Sequence, residues 1–228
     1  MKTGKKSAEM NKRKHILKLV MLGALLYLPV TSVIAQTIDN EFQLRTSTEF
    51  SKKIVKGLKV EITPELRWTA GDGLDKYHIN TGLSYKPISI LSLSAEYRLI
   101  ANRKSESETE FGSRYQFNLA LSDRIQRFDP KLKVSYTNYN DDDDEGGKFL
   151  KYQLGLGYDI ANFKLNPEIG FEAWHDLDQG EIYKYRTKIG VDYRLSDRLV
   201  LTGGYKLDYY MTKAKNRHIM EVGLKVKL

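Results

Sequence analysis

From residue 39 to the end, apolar and polar side chains alternate with a period of two, and no other feature of the sequence narrows its fold as far. The stretch GLKVEITPELRWTAG puts Leu58, Val60, Ile62, Pro64, Leu66 and Trp68 on one face. Lys59, Glu61, Thr63, Glu65 and Arg67 fall on the other. A helix would scatter both sets around its circumference, so the segment reads as a strand with two unlike faces. The same parity returns in KYHINTGLSYK, ILSLSAEYRLI and FLKYQLGLGYDI, and again through Tyr185 to Tyr193 and Leu199 to Tyr209. With a weaker first segment around Phe42, Leu44 and Phe50, about eleven such segments follow one another, most near the ten residues that a tilted membrane strand needs.

The connections separate two kinds of strand end. KPIS, YDIAN and RLSDR are tight, whereas TAGDGLD, ANRKSESETE, NDDDDEGGK, HDLDQGE and MTKAKNR are longer and polar. SDRIQRFDPK is longer than this alternation wants. The expectation is an all-β chain: a transmembrane antiparallel up-and-down β-barrel of 10 to 12 strands after an N-terminal signal peptide. Bacterial single-chain barrels have an even strand number with both termini on the periplasmic side, so ten or twelve is expected over eleven. The second to eleventh segments form a consistent set of ten, with the first pairing at the seam or adding a partial strand.

Residues 1–35 differ from the rest. Seven Lys and Arg precede or enter the run LVMLGALLYLPV, and the small-residue exit TSVIA follows, which is the layout of a secretory signal peptide cleaved after Ala35. The alternative is a retained anchor, because Ile16 to Ala35 is about long enough to span a bilayer. Pro29 and the small-residue exit favour cleavage. Two domains are therefore expected: 1–35, the signal peptide, and 36–228, the outer-membrane barrel. The leader carries most of the formal charge of +8, so the mature part is close to neutral and its composition gives no reason to expect a nucleic-acid partner. The sequence has no Cys, which excludes disulfides, thiolate metal sites and a lipidated N-terminal Cys.

Alternation alone does not say which face meets the surroundings. A soluble barrel points its apolar side inward; a membrane barrel turns that side to lipid. Lipid is favoured by a repeat that continues with no covering helix, by a densely charged polar face, and by aromatic residues near strand ends. The last group, Tyr85, Tyr97, Tyr136, Tyr158, Tyr193, Trp68 and Trp174, sits where interfacial girdles belong. The closing EVGLKVKL sets Val222, Leu224, Val226 and Leu228 on one face. It resembles the recognition strand read by the barrel-assembly machinery, in which a terminal aromatic is commoner than Leu.

Over the mature chain, the opening EFQLRTSTEFSKKI, then LKVEITPELRW, GLSYK, LSLSAEYRLI and VGLKVKL resemble a family of uncharacterised Gram-negative outer-membrane β-barrels, a domain of unknown function. These are strand patterns without catalytic content. The resemblance implies location in the cell outer membrane and a barrel architecture, and it carries over no functional residue.

With the apolar face toward lipid, Glu61, Glu65, Arg67, Glu96, Arg98, Arg114, Glu168, Glu172, Arg186, Lys206, Asp208 and Glu221 point into the lumen. Two readings are open for them: the lining of a narrow porin-like channel, or a structural ladder of ion pairs, the latter favoured because no sign is in excess. The acidic run Asp141 to Glu145 reads as a solvated loop tip, without the spaced ligands of a calcium loop. No metal site and no cofactor motif is found. His78, His175 and His218 are the histidine bases of the mature chain. Of these, His175 with Asp176 and Asp178 supports a rival reading, a barrel enzyme acting on lipid or peptide. A soluble secreted ligand-binding barrel is the other rival. The partners expected are membrane lipid and, through the last strand, the assembly machinery.

Overall fold

The computed structural model describes residues 38–105, 108–140 and 146–228. The expected leader, residues 1–35, and the acidic run Asp141 to Glu145 lie outside the described residues. Among those described, the alternating segments form β1 (Asp39–Val55), β2 (Leu58–Thr69), β3 (Gly73–Ile88), β4 (Leu91–Arg103), β5 (Thr109–Ser122), β6 (Phe128–Asn140), β7 (Gly147–Tyr158), β8 (Leu165–Asp176), β9 (Glu181–Arg194), β10 (Leu199–Tyr210) and β11 (Lys215–Lys227). They close into one barrel in sequence order, with β1 against β11. Closure removes the free sheet edges that would otherwise present unpaired N–H and C=O groups.

The barrel is all-β and up-and-down, and its strand number is odd. Sequential hairpins reverse direction at every turn, so eleven strands bring the first and last together in the same direction. The seam β1–β11 is accordingly parallel, Asp39 opposite Lys215 through Ser51 opposite Lys227, while every other pairing is antiparallel. Eleven lies within the expected 10 to 12 strands, whereas the preference for an even number and for both termini on one side is corrected: Asp39 hydrogen-bonds at the end holding the β10–β11 connection, and Leu228 at the other. The doubtful first segment is in fact the longest strand, with 17 residues. Its period-two pattern is diluted by Thr46 and Thr48 on the outer face, which is why it looked weak.

The end with the β2–β3, β4–β5, β6–β7, β8–β9 and β10–β11 connections is called the loop end here, and the opposite one the turn end. At the turn end Gly57 adopts a φ of 83° in the two-residue β1–β2 hairpin, a conformation that an L side chain resists. The awkward SDRIQRFDPK connection shortens because β6 begins at Phe128, which also bridges back to Ile125. Inside the seam, a Cβ on Gly223 would come within 2.6 Å of the Thr202 hydroxyl and 3.0 Å of that of Ser47. Only a glycine lets β11 sit this close between β10 and β1.

The outward positions are apolar and uncovered. Every strand contributes at least one large exposed hydrophobe, among them Phe42 in β1, Ile62 in β2, Leu99 in β4, Phe117 in β5, Ile169 in β8, Ile189 in β9 and Met220 in β11, with Ile189 64% exposed. The inward positions bury Arg45, Arg67, Arg114, Lys151, Lys184, Arg186, Asp208 and Arg217 instead. The usual partition of a water-soluble protein is inverted.

Candidate functional site

Parity places every charged residue expected in the lumen on the inner side, and cross-strand register decides which of them meet. Along one row, Glu172 of β8 stands opposite Arg186 of β9, Arg186 opposite Asp208 of β10, Asp208 opposite Arg217 of β11, and Arg217 opposite Glu41 of β1. Charge alternates across five strands. Asp208 accepts hydrogen bonds from Arg186 Nη2 at 2.6 Å, from Arg186 Nε, and from Lys184 Nζ at 3.1 Å, with both Asp208 and Lys184 wholly buried. Glu172 lies 3.7 Å from Arg186 and accepts the Trp174 indole N–H at 3.2 Å. Arg217 and Lys215 both reach Glu41, Lys215 at 2.5 Å. Nearer the turn end, Lys206 bonds Glu221 at 2.7 Å, and Glu168 pairs with Lys188.

On the β1–β5 side the rows do not alternate. Arg45 stands opposite Arg67, Arg67 opposite Lys76, and Arg98 opposite Arg114. Like charges placed directly across a sheet destabilise it unless something screens them. Some screening is present: Arg67 donates to Glu65 at 2.6 Å, and Arg114 reaches Glu96 at 3.6 Å and the Tyr139 hydroxyl at 3.3 Å. Glu96 also accepts from Asn118 at 2.7 Å. Three cations have only neutral side-chain acceptors among the described residues. Arg45 donates to Gln43 at 2.8 Å, Arg98 to Asn80, and Lys151 to Gln116. Glu61 sits apart, paired with Lys59 near the turn end.

Aromatic side chains fill the lumen on the β6–β10 side. Phe149, 1% exposed, packs against Tyr139, Trp174 and Tyr183 at ring-centroid distances of 6.2, 5.8 and 5.2 Å. The Lys184 ammonium lies 4.1 Å from the Trp174 centroid and 5.0 Å from that of Tyr210. A desolvated cation over an aromatic face gains about 2 kcal/mol. Trp174 was expected in an interfacial girdle; it faces inward and is 3% exposed. Its parity within β8, matching Glu172, already demanded this. Tyr183 breaks parity because Trp174 pairs with Lys184 while His175 pairs with Ile182, leaving Tyr183 as the extra residue of a bulge.

Water-accessible spaces open toward both ends of the barrel. The loop-end cavity of about 590 Å³ is lined by Arg67, His78, Arg98, Tyr139 and Arg217 along with residues of the β2–β3 and β4–β5 connections. At the turn end a wider vestibule of about 1210 Å³ is bordered by Glu49, Glu61, Lys86, Arg194 and Lys225.

Several residues that sequence reading passed over stand at the centre of this arrangement: Arg45, Lys151, Lys184, Arg217 and Glu41. All carry inward parity, so the signal was available. Among the described residues the most deeply buried inner charges are seven Lys or Arg and the carboxylate of Asp208, while Glu41, Glu65 and Glu172 stand slightly more open beside them. The histidine constellation does not assemble. His175 is an outward position opposite Leu150, Asp176 caps its own turn through the N–H groups of Asp178 and Gln179, and Asp178 binds Lys148. Among the described residues no group of His, Asp and Glu is arranged to hold a metal ion.

No family model matches the chain, and no curated protein is similar to it. Among solved structures, OccAB4 from Acinetobacter baumannii is similar at 11% identity with a TM-score of 0.39, over 74% of this chain and 48% of that one. The chain thus spans about half the length of that protein.

Proposed function

We propose that the chain is an outer-membrane β-barrel whose lumen serves as a narrow porin-like path for small solutes. One observation carries this reading: large apolar side chains stand exposed on every strand around a closed wall whose inner face is charged. Water would leave that outer surface uncovered over an area far beyond the few hundred Å² of apolar patch that soluble monomers tolerate. Hydrocarbon removes the penalty, and closure satisfies the backbone hydrogen bonds that hydrocarbon cannot. The leader at 1–35 fits export, and the apolar outer edge of β11 fits presentation to the assembly machinery. Water-accessible spaces toward both ends of a lumen narrowed by buried aromatic and charged side chains fit a constricted path.

A second reading, a structural membrane element without transport, is favoured by the fully buried Lys184, Asp208 and Thr137 inside the barrel. Planar-bilayer recording of purified protein separates the two. The path predicts small discrete conductance steps, and a silent barrel favours the structural element. Fractionation of Gram-negative cells tests the shared premise. Recovery in the outer membrane is expected, and protein that stays monomeric in buffer without detergent overturns the membrane assignment altogether.

A further inference from the structure

Charge is unevenly compensated around the turn-end vestibule. Lys53, Lys56, Lys86, Arg194 and Lys227 line it, all exposed, and none has a carboxylate in ion-pair contact among the described residues. Of the carboxylates on the same lining, Glu61 is held by Lys59 and Asp192 by Lys225, the latter at 2.8 Å. Glu49 and the chain end at Leu228 remain, too few to balance those cations. Strand register explains why positive charge gathers here. Lys53 stands opposite Lys59, Lys59 opposite Ser84, and Lys227 opposite Ser51, so this inner row offers lysine or a hydroxyl where an alternating row would offer a carboxylate. The preceding Lys52 stands opposite Val60 and belongs to the outer face.

The vestibule measures about 1210 Å³, above the roughly 300–1,000 Å³ of pockets that enclose a ligand. A space of this size sorts solutes by charge before shape. A mouth lined by one sign of charge concentrates the opposite ion, and rings of Lys and Arg line pores that pass anions. Deeper in the barrel the same sign recurs, because Arg45, Arg98 and Lys151 have only neutral side-chain acceptors and Arg98 faces Arg114 across the sheet. A cation entering from the turn end meets positive charge without a paired carboxylate at both levels.

We propose that the turn-end mouth selects by charge alone, so that the path passes small anions, inorganic or organic, in preference to cations of similar size. Lys53, Lys86 and Lys227, on the inner side of their strands, are the selecting residues. The inference rests on the porin-like reading and adds the sign of the solute.

The test is the reversal potential of purified protein in a planar bilayer that separates dilute from concentrated KCl. A displacement toward the chloride potential is expected. Lys53→Gln, Lys86→Gln and Lys227→Gln combined should move it toward the potassium potential while conductance persists. Lys52→Gln removes the same charge from the outer face of the same strand and should shift it far less. Raising the salt on both sides at a constant ratio should shrink the wild-type displacement, because the screening length falls to about 3 Å near 1 M. Circular dichroism verifies that each variant is folded. If the combined variant does not fold, Lys86→Gln and Lys227→Gln are measured singly, each with a smaller shift of the same sign expected, and no shift from either overturns the proposal. A conducting barrel that prefers potassium or neither ion, or a preference that Lys52→Gln lowers as much as the combined substitution, overturns the proposal and leaves the path standing. A silent barrel overturns both.

Discussion

The two sides of the lumen use the same residue types and reach opposite electrostatic outcomes. From β8 round to β1, Glu172, Arg186, Asp208, Arg217 and Glu41 alternate in sign at successive register positions, and each charge has an opposite neighbour. From β1 to β5, Arg45 meets Arg67 and Arg98 meets Arg114. The first side is built to be filled: its carboxylates, the aromatic cluster around Phe149 and the caged Lys184 exclude water. The second side borders the open cavity. The filled wall balances its charges internally; on the wall beside the water-accessible cavity, like charges stand opposite one another where water can screen them.

Substitution on the filled side should show the largest effect. Asp208→Asn keeps the shape but removes the charge that holds both Lys184 and Arg186, leaving two buried cations with reduced compensation. Breaking one partner out of a buried pair costs about 3–5 kcal/mol. Guanidinium unfolding in micelles should show a loss on that scale, and a loss under about 1 kcal/mol would mean that the alternating row is decorative. Glu65→Gln, on the cavity side, removes a carboxylate that serves Arg67 at 2.6 Å beside a solvent-accessible space. Water can take over part of its role. The expected cost is about 1–3 kcal/mol, that of one charge-assisted hydrogen bond. An equal or greater loss than for Asp208→Asn would erase the distinction between the two sides.

The barrel was legible because period-two alternation is a local property that every strand repeats, as Leu58 to Trp68 illustrates. Closure was less so. Phe42 and Leu44 mark a strand, but Thr46 and Thr48 blur its outer face, and whether it completes a turn of the wall depends on the Ser47, Gly223 and Thr202 contact, which joins residues far apart in the chain. The lumen charges were half legible. Parity gave their direction, whereas signs in register require knowing that Arg98 faces Arg114 and not a carboxylate, a consequence of hairpin lengths. Tyr183 could not be read at all: its inward turn comes from a bulge that pairing with β8 imposes. The cavity has no sequence signature, since His78 and Arg98 become neighbours of one space only through the register of β3 and β4.

Arg98 and Arg124 should show the smallest stability effects, for opposite reasons. Arg98 has no carboxylate in ion-pair contact among the described residues, so Arg98→Gln removes a costly buried charge along with one bond to Asn80. These changes oppose each other, and the net stability change is expected within about 1 kcal/mol, several times less than for Asp208→Asn. Arg124 bonds Asp159 at the turn end with 57% of its side chain exposed, where solvent screens the pair. Arg124→Gln should cost less than about 0.5 kcal/mol and vary with salt. A loss of several kcal/mol for Arg98→Gln would show that this arginine holds the wall together, and the like charges on the cavity side would then support the barrel as firmly as the alternating row does.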